Sequence, residues 1–162
     1  MAHRRGGSLI STIRQLSHRI FGNMLRARGL ADFPPEQGKI LFALMEAPEG
    51  LTIRDISART HLKKSTLTTM LRRMQANGYV TMGVDSKDGR ATRVLRTDKF
   101  LSQSDAYDEV SEEMTGVYYK GFTKEEIDRF EAMLGRLLQN LVEYEKSYEC
   151  KFKVDQREER DE

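Results

Sequence analysis

The chain has 162 residues, of which 38% are hydrophobic and 32% charged. At roughly 100–200 residues per domain, that is one compact domain or a small domain with an assembly element. The low apolar fraction suits a helical protein that completes its core by oligomerising better than an enzyme built around a deep pocket. No apolar run approaches the ~18 residues of a membrane span. Arg4-Arg5 is followed by a stretch too broken by polar residues to form an export signal. The lone Cys150 excludes an intrachain disulfide and fits a reducing compartment.

The net charge of +2 conceals a strong asymmetry. Residues 1–28 carry +6, with no acid; residues 29–51 carry −3; residues 52–99 carry +7; residues 100–162 carry −8. A basic central module beside an acidic C-terminal half points to a polyanion-binding unit on a separate scaffold.

In chain order, Leu9, Ile13, Leu16, Ile20 and Met24 recur at helical spacing, with Phe21 and Leu25 widening the stripe. Gly29 fits the stop of that helix. Pro34-Pro35 suit a helix first turn, and Ile40, Leu41, Leu44 and Met45 continue it until Pro48-Glu49-Gly50. Leu51-Thr52-Ile53 is short and β-prone. Asp55, Ile56, Ala58 and Leu62 fit a brief helix ending near Thr60. A second helix follows at once, from about Lys64 to Asn77, with Leu67, Met70, Leu71 and Met74 on one face and Gly78 closing it.

Val80, Met82 and Val84 then alternate as a half-buried strand. Asp85-Ser86-Lys87-Asp88-Gly89 forms a turn, and the strand returns from Ala91 to Arg96. Helix, tight turn, helix, β-hairpin is the order of a winged helix-turn-helix. A long helix is expected from about Asp98 to Lys120, with Thr97 as N-cap and Gly121 beyond its end. The last helix opens at Thr123, where Glu126 completes a capping box. Ile127, Phe130, Leu134, Leu137, Leu141, Tyr144 and Tyr148 form a heptad seam, more readily intermolecular than packed on its own domain.

With Leu67, Met70, Leu71 and Met74 inward at about 100° per residue, Ser65, Thr69 and Arg72 face outward. Thr68 lies on one flank, Thr66 and Arg73 on the other. This face carries hydroxyls and arginines and no acid. Short hydroxyls permit close approach, arginine reads guanine in bidentate fashion, and Lys63 and Lys64 at the helix start suit phosphates. The hairpin carries Lys87 and Arg90 at its tip, with Arg93 and Arg96 on the returning strand. An arginine on a narrow tip suits a minor groove. Asp88, two residues from Arg90, either fixes that side chain or only makes the turn.

Leu51 to Thr97 resembles the DNA-binding core of the MarR family of bacterial transcription regulators. Lys64-Ser65-Thr66-Leu67-Thr68 is similar to that family's recognition-helix opening. Gly78-Tyr79-Val80 resembles its entry to the wing, and Asp88-Gly89-Arg90 through Val94 to Thr97 its wing signature. The resemblance spans about residues 9–148. It implies that Arg90 is the wing arginine, that Ser65, Thr66, Thr68 and Arg73 are recognition-helix contacts, and that the first and last helices form a dimer interface. It also implies a small-molecule effector, bound between the dimer helices and the DNA-binding lobe. This chain departs from the family in having Arg72 where relatives commonly have Asp, Thr69 where many have Arg, and Arg96 in place of Leu.

The expected protein is therefore mainly α, a winged helix-turn-helix with dimerisation helices at both ends. Residues 1–30 are expected to form a basic arm and dimerisation helix, 31–97 the DNA-binding lobe, 98–150 the long helix and C-terminal dimerisation helix, and 151–162 a charged, frayed tail. Its expected function is that of a cytoplasmic homodimeric repressor on roughly palindromic double-stranded DNA, located at the nucleoid when bound. DNA-contact candidates are Lys63, Lys64, Ser65, Thr66, Thr68, Thr69, Arg72, Arg73, Lys87 and Arg90. Dimer candidates are Leu9, Ile13, Leu16, Ile20, Ile127, Phe130, Leu134, Leu137, Leu141 and Tyr144. Phe21 and Met24 belong either to the dimer core or to an effector pocket. Neither a cofactor nor a metal is expected, since His3, His18 and His61 have no ligand-like spacing; His61 reads as a turn residue. No catalytic motif is visible. Two rival readings are a helical protein-interaction module using the acidic C-terminal half and a redox-responsive regulator using Cys150, whose neighbours Glu149 and Lys151 roughly cancel in charge.

Overall fold

The structure, a computed structural model, describes residues 4–33 and 35–158, with side chains as far as Tyr148. Its elements are α1 (Gly6–Ala27), a 3-10 turn (Pro35–Gln37), α2 (Gly38–Met45), β1 (Leu51–Thr52), α3 (Ile53–Thr60), α4 (Lys64–Ala76), β2 (Val80–Val84), β3 (Thr92–Arg96), α5 (Asp98–Tyr118) and α6 (Lys124–Glu158). Two compact units divide the chain, Met1–Thr115 and Gly116–Glu162.

The first unit has one apolar core, in which Ile40, Leu44, Ile56, Leu67, Leu71 and Val94 are fully buried. α1 joins it only through its C-terminal half. Leu25 is buried, and Phe21 meets the Tyr107 ring edge-on at 5.5 Å. Phe21 and Met24 thus pack on this unit's own core rather than extending the outer stripe. Leu9, Ile13, Leu16 and Ile20 remain 38–51% exposed. Gly29, at φ +74, ends the helix as expected. Pro35 opens the 3-10 turn before α2, and Pro34 lies outside the described residues.

Thr52 ends β1 and caps α3. Its hydroxyl accepts from the Asp55 N–H, and the Asp55 carboxylate accepts from the Thr52 N–H, a reciprocal capping box that satisfies two otherwise orphan donors. The sheet has the order β1-β3-β2 and is antiparallel throughout, with Leu51 opposite Val94 and Met82 opposite Val94 on the other side. The expected alternation of β2 holds at its base, where Val80 is buried and Met82 half-buried. It fails at the tip, where Val84 is exposed because the hairpin runs out beyond the body that covers Val80. Thr97 caps α5, its hydroxyl accepting from the Phe100 N–H at 3.2 Å. Phe100, Tyr107, Val110 and Met114 turn one face of α5 into the core.

The second unit is dominated by α6. Thr123 and Glu126 form the expected capping box, with bonds of 2.8 and 3.2 Å. Phe130, Leu134, Leu137, Leu141 and Tyr144 are 37–67% exposed, and Ile127 is half-buried. The backbone stays helical beyond residue 150 to Glu158, where a frayed tail was expected. Residues 159–162 and the side chain of Cys150 lie outside the described residues.

Gly50 carries the tightest backbone demand. Its φ of +73 is a left-handed conformation, and a Cβ there would overlap the Val94 carbonyl oxygen. Gly50→Ala is expected to destabilise the first unit by about 1–3 kcal/mol, read as a lower urea midpoint without a change in slope.

Candidate nucleic-acid interface

Two turns set the pose of α4. Before it, His61 adopts φ 55, which makes it a left-handed turn residue as its sequence context suggests. Around it, Ser57 donates to the Leu62 carbonyl at 2.7 Å and the Thr60 hydroxyl accepts from the Leu62 N–H at 3.3 Å. After it, Gly78 sits at φ +76, and Lys99 reaches the Asn77 carbonyl at 2.8 Å while lying 4.5 Å above the Tyr79 ring. The Tyr79 hydroxyl donates to Gln103 at 2.7 Å. α4 is thereby held at both ends by the body of the unit.

On its inner face Leu67, Leu71 and Met74 have no exposure, whereas Met70, expected there too, is half-buried at the edge of that face. Ser65, Thr66, Thr69, Arg72 and Arg73 are exposed, and Thr68 is half-buried. Thr68 donates its hydroxyl proton to the Lys64 carbonyl at 2.7 Å, and Thr69 donates to the Ser65 carbonyl at 3.1 Å. Lys63 is the N-cap, and its side chain makes no capping bond to the first turn of α4.

Six of the ten candidates line two clefts. Ser65, Thr66, Thr69 and Arg73 line one of about 480 Å³, joined by Met70 and by Glu36 and Gln37 from the 3-10 turn. Lys64 and Arg90 line another of about 600 Å³, together with Thr52, Arg54, Ser57 and Ala91. Lys63, Thr68, Arg72 and Lys87 line neither cleft. Arg54 was missed in the sequence; its signal is Thr52-x-x-Asp55, which fixes a helix start and puts Arg54 in the first turn. The helix face is acid-free as expected, but Glu36 enters its cleft from outside, 4.0 Å from the solvent-exposed His18.

Of the two roles the sequence leaves open for Asp88, the structure shows the second. Asp88 does not fix the Arg90 guanidinium: its carboxylate accepts from the Arg90 backbone N–H at 3.0 Å, and its carbonyl accepts from Ala91 at 2.8 Å. It makes the turn. The carboxylate that holds an arginine is Asp85, only 4% exposed. It accepts from the Lys87 and Asp88 N–H groups at 2.8 Å each and pairs with Nε of Arg93. Nη1 of Arg93 also donates to the carbonyls of Glu49 at 3.1 Å and Gly50 at 2.9 Å. Arg93 therefore turns into the protein, whereas Arg90 and Lys87 are exposed at the tip.

A buried helix face, an exposed hydroxyl-and-arginine face and a basic hairpin beside it define a winged helix-turn-helix of the nucleic-acid-binding type. A model of the MarR family matches residues 31–91. The chain is 31% identical over 119 residues to the HTH-type transcriptional repressor IacR of Pseudomonas putida, covering 74% of this chain and 71% of that one. The chain belongs to the MarR family. Its fold is shared with the PcaV regulator of Streptomyces coelicolor, solved with its natural ligand (TM-score 0.76, 22% identity, 86% of this chain and 97% of that one). It is also shared with the S. aureus MepR–DNA complex (TM-score 0.75, 22% identity, 83% and 96%). Among the described residues, no helix is long and apolar enough to cross a membrane.

The Asp88 N–H, then Arg93, then the Lys87 N–H hold the Asp85 carboxyl below the usual aspartate range. A lowered folded value means the carboxylate stabilises the fold above about pH 4 and loses that contribution as pH falls through the lowered value. Asp85→Asn is therefore expected to melt below wild type near pH 7. The gap should persist through the usual aspartate range and close only as pH falls through the lowered value of Asp85, as followed by circular dichroism.

Proposed function

We propose that the protein is a transcriptional repressor that binds roughly palindromic double-stranded DNA as a homodimer. Each protomer lays α4 in a major groove and the hairpin in the flanking minor groove, with half-sites about one helical turn apart. The observation that carries this reading is the acid-free outer face of α4, held by the fully buried Leu67, Leu71 and Met74 on its inner side, beside Arg90. Phosphate neutralisation by the +7 stretch of residues 52–99 supplies affinity. Specificity comes from Ser65, Thr66, Thr68, Thr69 and Arg73, with Arg72 exposed alongside them. Lys63, Lys64, Arg54 and Lys87 meet phosphates, and Arg90 enters the minor groove.

The two copies join through Leu9, Ile13, Leu16 and Ile20 of α1 and through Ile127, Phe130, Leu134, Leu137, Leu141 and Tyr144 of α6, the exposed apolar faces of the two units. A small molecule regulates the dimer by binding better to a conformation in which the two α4 helices are wrongly spaced. PcaV, solved with its natural ligand, supports that proposal. The place of work is the cytoplasm, at the nucleoid when bound.

Selection of duplexes from a random library by the full-length protein tests the function. Enrichment of a two-fold symmetric site is expected, and no enrichment at any salt concentration would refute it. On the selected duplex, Arg73→Ala is expected to lose about 1–3 kcal/mol and to relax preference at one position per half-site. Lys64→Ala should weaken all sequences alike and lower the salt slope by about one per site. Leu137→Glu with Leu141→Glu places two charges in the proposed interface, at several kcal/mol per ion as an order of magnitude. Light scattering should then report monomer or aggregate, and an intact dimer would reassign the interface.

A further inference from the structure

We infer that Arg93 is a positioning residue for DNA binding: with Asp85 it fixes the wing against the helix-turn-helix and so places Arg90, without touching DNA itself. The inference rests on the wing reading proposed above.

Arg93 joins three segments that are separate in sequence. It sits on β3 opposite Thr52, the residue that caps α3. Its Nη1 holds the carbonyls of Glu49 and Gly50, in the turn before β1, at 3.1 and 2.9 Å. Its Nε holds the Asp85 carboxylate at the root of the hairpin loop. From there the bonds run outward without a break. The other Asp85 oxygen accepts from the Lys87 and Asp88 N–H groups, and the Asp88 carboxylate accepts from the Arg90 N–H. A path of hydrogen bonds thus connects the body of the lobe to the backbone of Arg90.

Geometry separates Arg93 from the other bases of the wing. Its side chain is 24% exposed, and that of Asp85 is 2% exposed. With Nη1 and Nε engaged inward, the guanidinium plane is fixed. A two-stranded ribbon carrying an exposed loop has few other restraints, and Val84, beside Asp85, is exposed. Without this clamp the tip keeps its own turn but loses its angle to α4. An arginine is required because one planar fork serves two carbonyls and a carboxylate at once; an ammonium on a flexible stem is a point charge that cannot hold that pattern.

The test is a double-mutant cycle using the duplex selected by the wild-type protein and a second duplex with its flanks changed to G·C. Arg90→Ala, Arg93→Met, Arg93→Lys and the Arg90→Ala/Arg93→Met pair are compared at one salt concentration, with the melting temperature of each recorded. Arg93→Met is expected to weaken binding about tenfold on the selected duplex, with a much smaller loss on the G·C-flanked one, and Arg93→Lys to recover only part. In the Arg90→Ala background, Arg93→Met should add little. Losses that multiply, or that are equal on both duplexes, would overturn the inference, because Arg93 would then contact DNA or act on the fold as a whole. If Arg93→Met does not fold, the same cycle with Asp85→Asn decides by the same criteria. Arg90→Ala without any effect would instead overturn the underlying reading of the wing.

Discussion

The burial of one side of α4 is the constraint on which the rest depends. Leu67, Leu71 and Met74 have no contact with solvent, and in a close-packed interior such side chains have one arrangement rather than several. Because α4 cannot roll, Ser65, Thr69 and Arg73 have a fixed azimuth, and a shift of one residue in register would turn the reading face by about 100°. The turns at His61 and Gly78, the Lys99 bond to Asn77 and the Tyr79 bond to Gln103 add restraints along the helix axis. A surface that discriminates bases needs such rigidity, since its polar groups must meet partners within hydrogen-bonding tolerance.

The unit also shows how far local pattern carries a reading. The faces of α4 apart from Met70, the caps at Thr97 and Thr123 and the turn at His61 were legible because each depends on residues a few positions apart. The roles of Asp85 and Arg93 were not. Arg93 reaches the carbonyls of Glu49 and Gly50, which lie more than forty positions away, and no periodicity marks such a bond. Arg93 looked like one more wing cation, and Asp88 stood closer in sequence to Arg90. The one local signal for Asp85 is an aspartate followed at two and three positions by turn residues from whose N–H groups it can accept. Phe21 and Met24 were ambiguous for a related reason. A stripe with apolar residues on adjacent positions has two sides, and only the position of Tyr107 settles which side is internal.

The apolar residues that remain exposed are concentrated on two faces. Monomeric proteins scatter single exposed hydrophobics widely but seldom gather them along one helix face. The first half of α1 and much of α6 do gather them, and α1 lies in a basic stretch of sequence whereas α6 lies in an acidic one. The first 28 residues carry +6 and the last 63 carry −8. Exposed apolar faces and opposite charge thus coincide in sequence: the basic stretch holds α1, and the acidic one holds most of α5 and all of α6.

The threonines of α4 have a chemical polarity of their own. Thr68 and Thr69 each give their hydroxyl proton to a carbonyl one turn back, a habit that slightly weakens helices. With its proton committed, each oxygen has only lone pairs left to offer, and Thr69 is the more exposed of the two. Such a group is repelled by phosphate and by the acceptor edge of guanine, and it is satisfied by an exocyclic amine on adenine or cytosine. The outer side of α4 thus sets hydroxyl acceptors beside the guanidinium donors of Arg72 and Arg73, two opposite kinds of polar group on one helix surface.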